Sequence, residues 1–215
     1  MVDENIISEL VKRQVVNDTF RKLQPQKKEL IYRQAIKLFG EYGYDGLSVD
    51  RLCRDAGISK GSFFQYFPSK SHLLEFALLV FDDYLARWVA EVRKHDQRAL
   101  AKDRLMYLYQ ALILNAKLHQ PEKKFYLFAT NALEHSAVLI EGIDIERHFH
   151  DYIDEIISRG EKTGEIRGDF EVELTGHLVS IVMRALVNRQ FSQRKTTTLR
   201  TGEYLISFLF DGIKA

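Results

Sequence analysis

The chain has 215 residues, with 31 Lys or Arg against 30 Asp or Glu and a net charge of +1. Apolar residues make up 46% and charged residues 28%, the composition of a folded globular protein rather than a disordered one. Its single cysteine excludes a disulfide framework and a cysteine-rich metal site, and no unbroken apolar run approaches the ~20 residues of a membrane helix.

The opening Met1-Val2-Asp3-Glu4 is acidic and lacks a secretory core, so a cytoplasmic address is expected. Prolines stand only at 25, 68 and 121, and a residue that costs about 3 kcal/mol inside a helix is thus rare enough for long helices. Ile7, Leu10, Val11, Val15, Phe20 and Leu23 mark a first amphipathic segment. Ile31, Ala35, Leu38, Phe39 and Tyr42 share one helical face. Val49, Leu52, Cys53 and Ala56 predict a two-turn helix with Ser48 as its N-cap. After the turn Gly57-Ile58-Ser59, a second short helix is predicted from Lys60 to about Phe67. A long helix follows over Lys70–His95, then helices near 98–119, from Pro121 to about Leu139, over Ile143–Lys162, 170–193 and 197–213. The glycine groups Gly40/Gly43/Gly46, Gly57/Gly61 and Gly160/Gly164/Gly168 read as helix breaks, because neither a dinucleotide fingerprint nor a Walker motif surrounds them. With no period-2 alternation of useful length, the fold class is all-α.

Charge is unevenly spread: residues 10–70 hold 12 basic and 6 acidic side chains, whereas 71–215 hold 19 and 21. A basic N-terminal third inside a neutral whole suits a polyanion partner. Within it, residues 48–67 form two short helices joined by a glycine-containing turn, a helix-turn-helix unit whose second helix enters a DNA major groove. That helix opens with small, polar or cationic residues, Ser59, Lys60, Gly61 and Ser62, at an end that favours phosphate. Phe63 and Phe67, four apart, face inward; Phe64, Gln65 and Tyr66 face outward or sideways.

The stretch Ile31-x-x-x-Ala35-x-x-Leu38-Phe39-x-x-x-Gly43, Leu47-Ser48, Ala56-Gly57-Ile58-Ser59-Lys60-Gly61-Ser62-Phe63 and Tyr66-Phe67-Pro68-Ser69-Lys70 resembles the TetR family of transcriptional regulators. The resemblance implies an N-terminal helix-turn-helix domain plus a C-terminal helical ligand-binding and dimerisation domain. By position it implies phosphate contact at Ser48, an opening of the reading helix by Ser59, Lys60, Gly61 and Ser62, base or phosphate contacts at Gln65 and Tyr66, and a phosphate contact at Lys70. Phe64 departs from the tyrosine common there, so it offers stacking or thymine-methyl contact instead. Lys60 and Lys70 also read simply as solvated lysines, and Cys53 as a small core residue.

The expected organisation is an N-terminal extension over 1–24, the DNA-binding domain over 25–72 and the ligand-binding and dimerisation domain over 73–215. The extension, with Lys12, Arg13, Arg21 and Lys22, either supports the DNA-binding domain, adds phosphate contacts, or packs on its own or a neighbouring subunit. Apolar stripes on 170–193 and 197–213 nominate Leu178, Ile181, Val182, Ala185, Leu205, Phe208 and Leu209 for a homodimer interface, the alternative being burial within one chain. Trp88, Met106, Tyr107, Tyr109, Phe125, Phe128, Asn131, His135, Tyr152 and Met183 are candidates to line a pocket for an apolar or aromatic small-molecule effector, or else are core. No catalytic signature, metal set or cofactor motif appears, and no membrane partner is expected; His148 and His150 diverge around a helix. The expectation is a DNA-binding repressor released from a palindromic double-stranded operator by its effector, not an enzyme. The alternatives are an all-α enzyme or a helical partner-binding adaptor with a central cavity.

Overall fold

Helix starts and stops in this chain are set by local chemistry. Asp3 accepts the Asn5 N–H at 2.7 Å, Ser48 and Ser59 cap two later helices in the same way, and Pro25 opens another at its first position. The computed structural model describes residues 2–95, 99–135, 143–169, 171–192 and 199–213; side chains at 132–135, 189–192, 199, 201, 205 and 213 lie outside that description. Every regular element among these residues is a helix: α1 (Glu4–Lys12), α2 (Asp18–Arg21), α3 (Pro25–Gly46), α4 (Val49–Ala56), α5 (Lys60–Tyr66), α6 (Lys70–His95), α7 (Ala101–Leu118), α8 (Gln120–His135), α9 (Arg147–Lys162), α10 (Val172–Ser192) and α11 (Leu199–Ile213). None of them is long and apolar enough to cross a membrane.

Three expectations are corrected. The first amphipathic segment is two helices, because Gln14 takes a left-handed φ of 60°. Val15 N–H then bonds the Leu10 carbonyl and Gln14 N–H the Val11 carbonyl, a Schellman closure made without glycine. The predicted helix over Ile143–Lys162 begins only at Arg147. Of the supposed glycine breaks, Gly43 does interrupt α3 with a φ of 68°, and Gly57 and Gly164 are left-handed turns. Gly40, Gly61 and Gly160 sit inside helices instead. The predicted continuation of α8 to Leu139 falls outside the described residues.

Packing divides the chain into two units. The first comprises residues 1–85 and 119–145, the second 86–118 and 146–215. In the first, α3 presents Ile31, Ala35, Leu38 and Phe39, each at most 1% exposed, as its spacing predicts. Helix α8 joins this unit because Gly40 lets the α3 backbone approach it. A Cβ there would stand 2.8 Å from the Phe125 nitrogen. The joint is aromatic, Phe39 stacking on Phe128 at 5.8 Å and Phe125 meeting Phe81 edge-on at 5.2 Å.

The extension is part of the same unit. Ile7, Leu10, Val15, Val16 and Phe20 are buried to 1% or less, Glu4 pairs with the buried Lys28 ammonium at 2.7 Å, and the Val2 N–H donates to Glu29. Of the roles weighed for residues 1–24, packing on its own subunit is therefore observed.

In the second unit, α6 from residue 86, α7, α9, α10 and α11 enclose Leu108, Tyr109, Tyr152, Ile156, Met183 and Ile206 among others. Glu165 accepts the Ala101 N–H at 2.6 Å and so caps α7 from a distant turn. Arg104, 1% exposed, bonds Glu155 at 2.8 Å and lies over the Tyr152 ring, which Arg93 also faces.

Candidate nucleic-acid interface

Helix α4 ends at Gly57, whose left-handed conformation brings the Ile58 N–H to the Cys53 carbonyl and turns the chain into α5. A long-range contact stabilises that turn: Lys27 donates to the carbonyls of Ala56 and Gly57, both at 2.8 Å. Sequence reasoning missed Lys27, because nothing local ties a residue in the first turn of α3 to a turn 29 positions later. Arg51 over the Tyr42 ring, at 4.5 Å, escaped it for the same reason.

At the head of α5, the Ser59 hydroxyl accepts the Ser62 N–H at 2.9 Å and pairs with the Ser62 hydroxyl at 2.8 Å. Gly61 faces open space apart from Ser59. Lys60 reaches back to Asp50, Nζ to Oδ1 2.9 Å, with both side chains well exposed. Phe63 and Phe67 are fully buried and anchor the helix, as predicted. Opposite them Phe64 is 50% exposed and Gln65 is exposed. Tyr66 is half-buried, edge-on to Phe20. Ser48 is exposed and caps α4 through the Arg51 N–H at 3.4 Å, a long bond. Lys70 has a second duty: its ammonium donates to the Tyr44 carbonyl at 2.9 Å and lies over the Tyr44 ring.

Eight of the nine nominated residues thus surround α4 and α5 in one unit, and Lys70 fastens the end of α3 beside them. Cys53, on the buried side of α4, has its thiol pushed up by burial and then by Asp50. It is a core residue with little thiolate character at neutral pH.

The ten pocket candidates are divided between the two units. Tyr109, Tyr152 and Met183 belong to the core of the second unit, and Trp88 and Met106 pack against it half-buried. Phe125 and Phe128 belong to the aromatic joint of the first. Tyr107 is 37% exposed, and Asn131 is exposed and donates to its own helix at the Leu127 carbonyl. The His135 side chain lies outside the described residues. Of the seven dimer candidates, Leu178, Ile181, Ala185 and Phe208 are exposed, Val182 and Leu209 are half-buried, and Leu205 lies outside the description. Leu174 and Tyr204, 55% and 71% exposed, extend the same stripes. No group of three or more His, Cys, Asp or Glu among the described residues could hold a metal.

The fold and the α4–α5 geometry define a helix-turn-helix protein. The family model for bacterial regulatory proteins of the tetR family matches residues 31–77. The uncharacterized HTH-type transcriptional regulator YuxN of Bacillus subtilis is 34% identical over 90 residues, 41% of this chain and 31% of that protein, so the match spans under a third of its length. The HTH-type transcriptional repressor AcnR of Corynebacterium glutamicum is 25% identical over 164 residues, 74% of this chain and 79% of AcnR. Among solved structures, a transcriptional regulator from Pseudomonas aeruginosa PAO1 has the same fold, with a TM-score of 0.70 at 20% identity over 90% of this chain and 93% of that one. So does FadR of Bacillus subtilis, solved in complex with stearoyl-CoA, with a TM-score of 0.65 at 17% identity over 86% and 99%. Residues 31–77 thus carry the helix-turn-helix segment of the tetR family of bacterial regulatory proteins. YuxN and AcnR are both HTH-type transcriptional regulators.

Proposed function

We propose that this protein is a cytoplasmic, homodimeric DNA-binding transcriptional regulator, a repressor, that places α5 in the major groove of each half of a palindromic operator and leaves it on binding an apolar small molecule. The observation that carries this reading is the surface of α5. Its Ser59-capped first turn exposes Lys60 and Gly61, and its outer face offers Phe64 and Gln65 while Phe63 and Phe67 fix it from within. The exposed stripes on α10 and α11 support a second copy as the partner, since a symmetric operator needs two reading helices. The repressor AcnR supports repression, and FadR with stearoyl-CoA supports an apolar effector. The effector need only bind better to the dimer conformation whose reading helices no longer match the half-sites.

A gel shift on the DNA upstream of the chain's own gene, or on duplexes selected from a random pool, tests the reading. Gln65→Ala should cost about 1–3 kcal/mol against the selected duplex and relax sequence preference. Lys60→Ala should weaken binding and lower the slope of log affinity against log salt by about 0.9 for each phosphate no longer neutralised. Wild-type affinity in both variants refutes it. Release of the selected duplex by long-chain acyl compounds, and not by polar metabolites, is the expected effector result.

A further inference from the structure

Helix α5 has seven residues, too few to be stable by itself, and its last carbonyls have no partner within the helix. The N-terminal extension supplies the donors. Asn17 donates its backbone N–H to the Tyr66 carbonyl at 2.9 Å and its side-chain amide to the Gln65 carbonyl at 3.1 Å. The Thr19 hydroxyl donates to that same Gln65 carbonyl. Just behind them the buried Phe20 ring packs 5.1 Å from Phe67 and 5.1 Å from Phe76, and 6.0 Å from Tyr66. The extension is itself held at separate points, Glu4 on Lys28 of α3 and Arg13 on Glu75 of α6 at 3.2 Å.

We infer that Asn17 and Thr19 are positioning residues for DNA recognition: they hold the backbone from which Gln65 and Tyr66 project, and so set where the end of α5 meets the bases. The inference rests on the reading of α5 as the DNA-contacting helix. The Gln65 side chain is exposed while its own carbonyl takes two bonds from the extension, so the group that would read DNA belongs to the residue the extension holds. Directional hydrogen bonds weaken steeply with misalignment, so a small rotation of this helix end weakens base contacts and spares the diffuse attraction to phosphates. Deleting the extension is the wrong test, because it strips five buried apolar side chains and the partner of Lys28 together.

The experiment measures affinity of the full-length protein for a duplex selected by the wild type and for a scrambled duplex of equal length, from 50 to 200 mM salt. The double variant Asn17→Ala/Thr19→Val is expected to lose about fivefold or more on the selected duplex, keep its affinity for the scrambled one, and keep the wild-type salt slope. Thr19→Ser, which retains the hydroxyl, should bind like the wild type. Selected-duplex affinity within about twofold of wild type overturns the inference. So does a fall on both duplexes that tracks a lower melting temperature, which marks a merely structural role. A reduced salt slope overturns it in favour of direct phosphate contact. Lys60→Ala and Gln65→Ala run alongside: if they too leave selected binding intact, the reading of α5 itself falls, whereas if they weaken it and the double variant does not, only the positioning role falls.

Discussion

Lys60 is not free: its ammonium sits on Asp50, whose carboxylate is exposed beside the head of α5, the surface proposed to meet DNA. An exposed pair of this kind contributes about 0–1 kcal/mol to stability. On the proposed reading of α5, its larger effect would be on DNA, where Asp50 would repel phosphate and compete for Lys60. Asp50→Asn should therefore tighten DNA binding several-fold in a salt titration while changing stability by less than about 1 kcal/mol. Asp154 on α9 poses the opposite problem. One of its carboxylate oxygens is buried with no hydrogen-bond partner among the described residues. Burial is the largest cause and raises its pKa; His150 opposes it, Asp151 and Glu173 add to it, and His177 lowers it least. An acid whose pKa is raised on folding stabilises the native state only while protonated, so its contribution is lost as pH rises from the ordinary carboxylate range through the raised value. Asp154→Asn should then raise the melting temperature at neutral pH, with the gain vanishing on acidification below the normal carboxylate range. A variant that melts lower at neutral pH would show that the charge is compensated.

At the scale of elements, much of the fold was legible because it is written locally. Ser48, Gly57 and Ser59 announce their helix ends through capping and the left-handed turn, and the spacing of Ile31, Ala35, Leu38 and Phe39 announces a buried face. What escaped was whatever depends on distant partners. Gln14 ends α1 although nothing in its chemistry demands a left-handed residue; the turn is imposed by bringing Ile7, Leu10 and Phe20 onto one domain. Gly40 reads as a break and is instead the contact point of two helices, a role visible only once α8 is in place. Gly40→Ala should cost about 1–3 kcal/mol, since its Cβ meets backbone atoms of Lys124 and Phe125 that cannot swing aside. Thermal unfolding checks this, and an unchanged melting temperature would mean that α8 shifts freely. The α5 surface was legible for the same local reason. Its fastening by Asn17, Thr19 and Lys27 was not, because those residues lie 29 to 49 positions from the carbonyls they reach.

For the whole molecule, exposure is the informative quantity. Leu174, Leu178 and Ile181 on α10, and Tyr204 and Phe208 on α11, are each at least 40% exposed, an apolar surface that a soluble monomer rarely leaves bare. Ile181→Arg combined with Phe208→Asp should convert a dimer to monomers in sedimentation velocity and abolish tight operator binding, because one reading helix alone gains no second half-site. A doubly substituted protein that still sediments as a dimer would place the partner surface elsewhere. The pocket candidates illustrate the limit of composition: aromatic and methionine residues at helical spacing identify core in two different units as readily as they identify a cavity lining.

The membership of α8 has a practical corollary for anyone swapping regulatory heads between proteins of this kind. The chain leaves the first unit at residue 85 and re-enters it for 119–145, so the unit that carries α5 is encoded in two separate stretches of gene. A chimaera spliced at a single junction after α5 or midway along α6 would carry Phe39 and Phe81 without the Phe125 and Phe128 they pack against. Such a graft succeeds only if the second stretch travels with the first, or if the recipient's own helix happens to offer aromatic rings at matching positions.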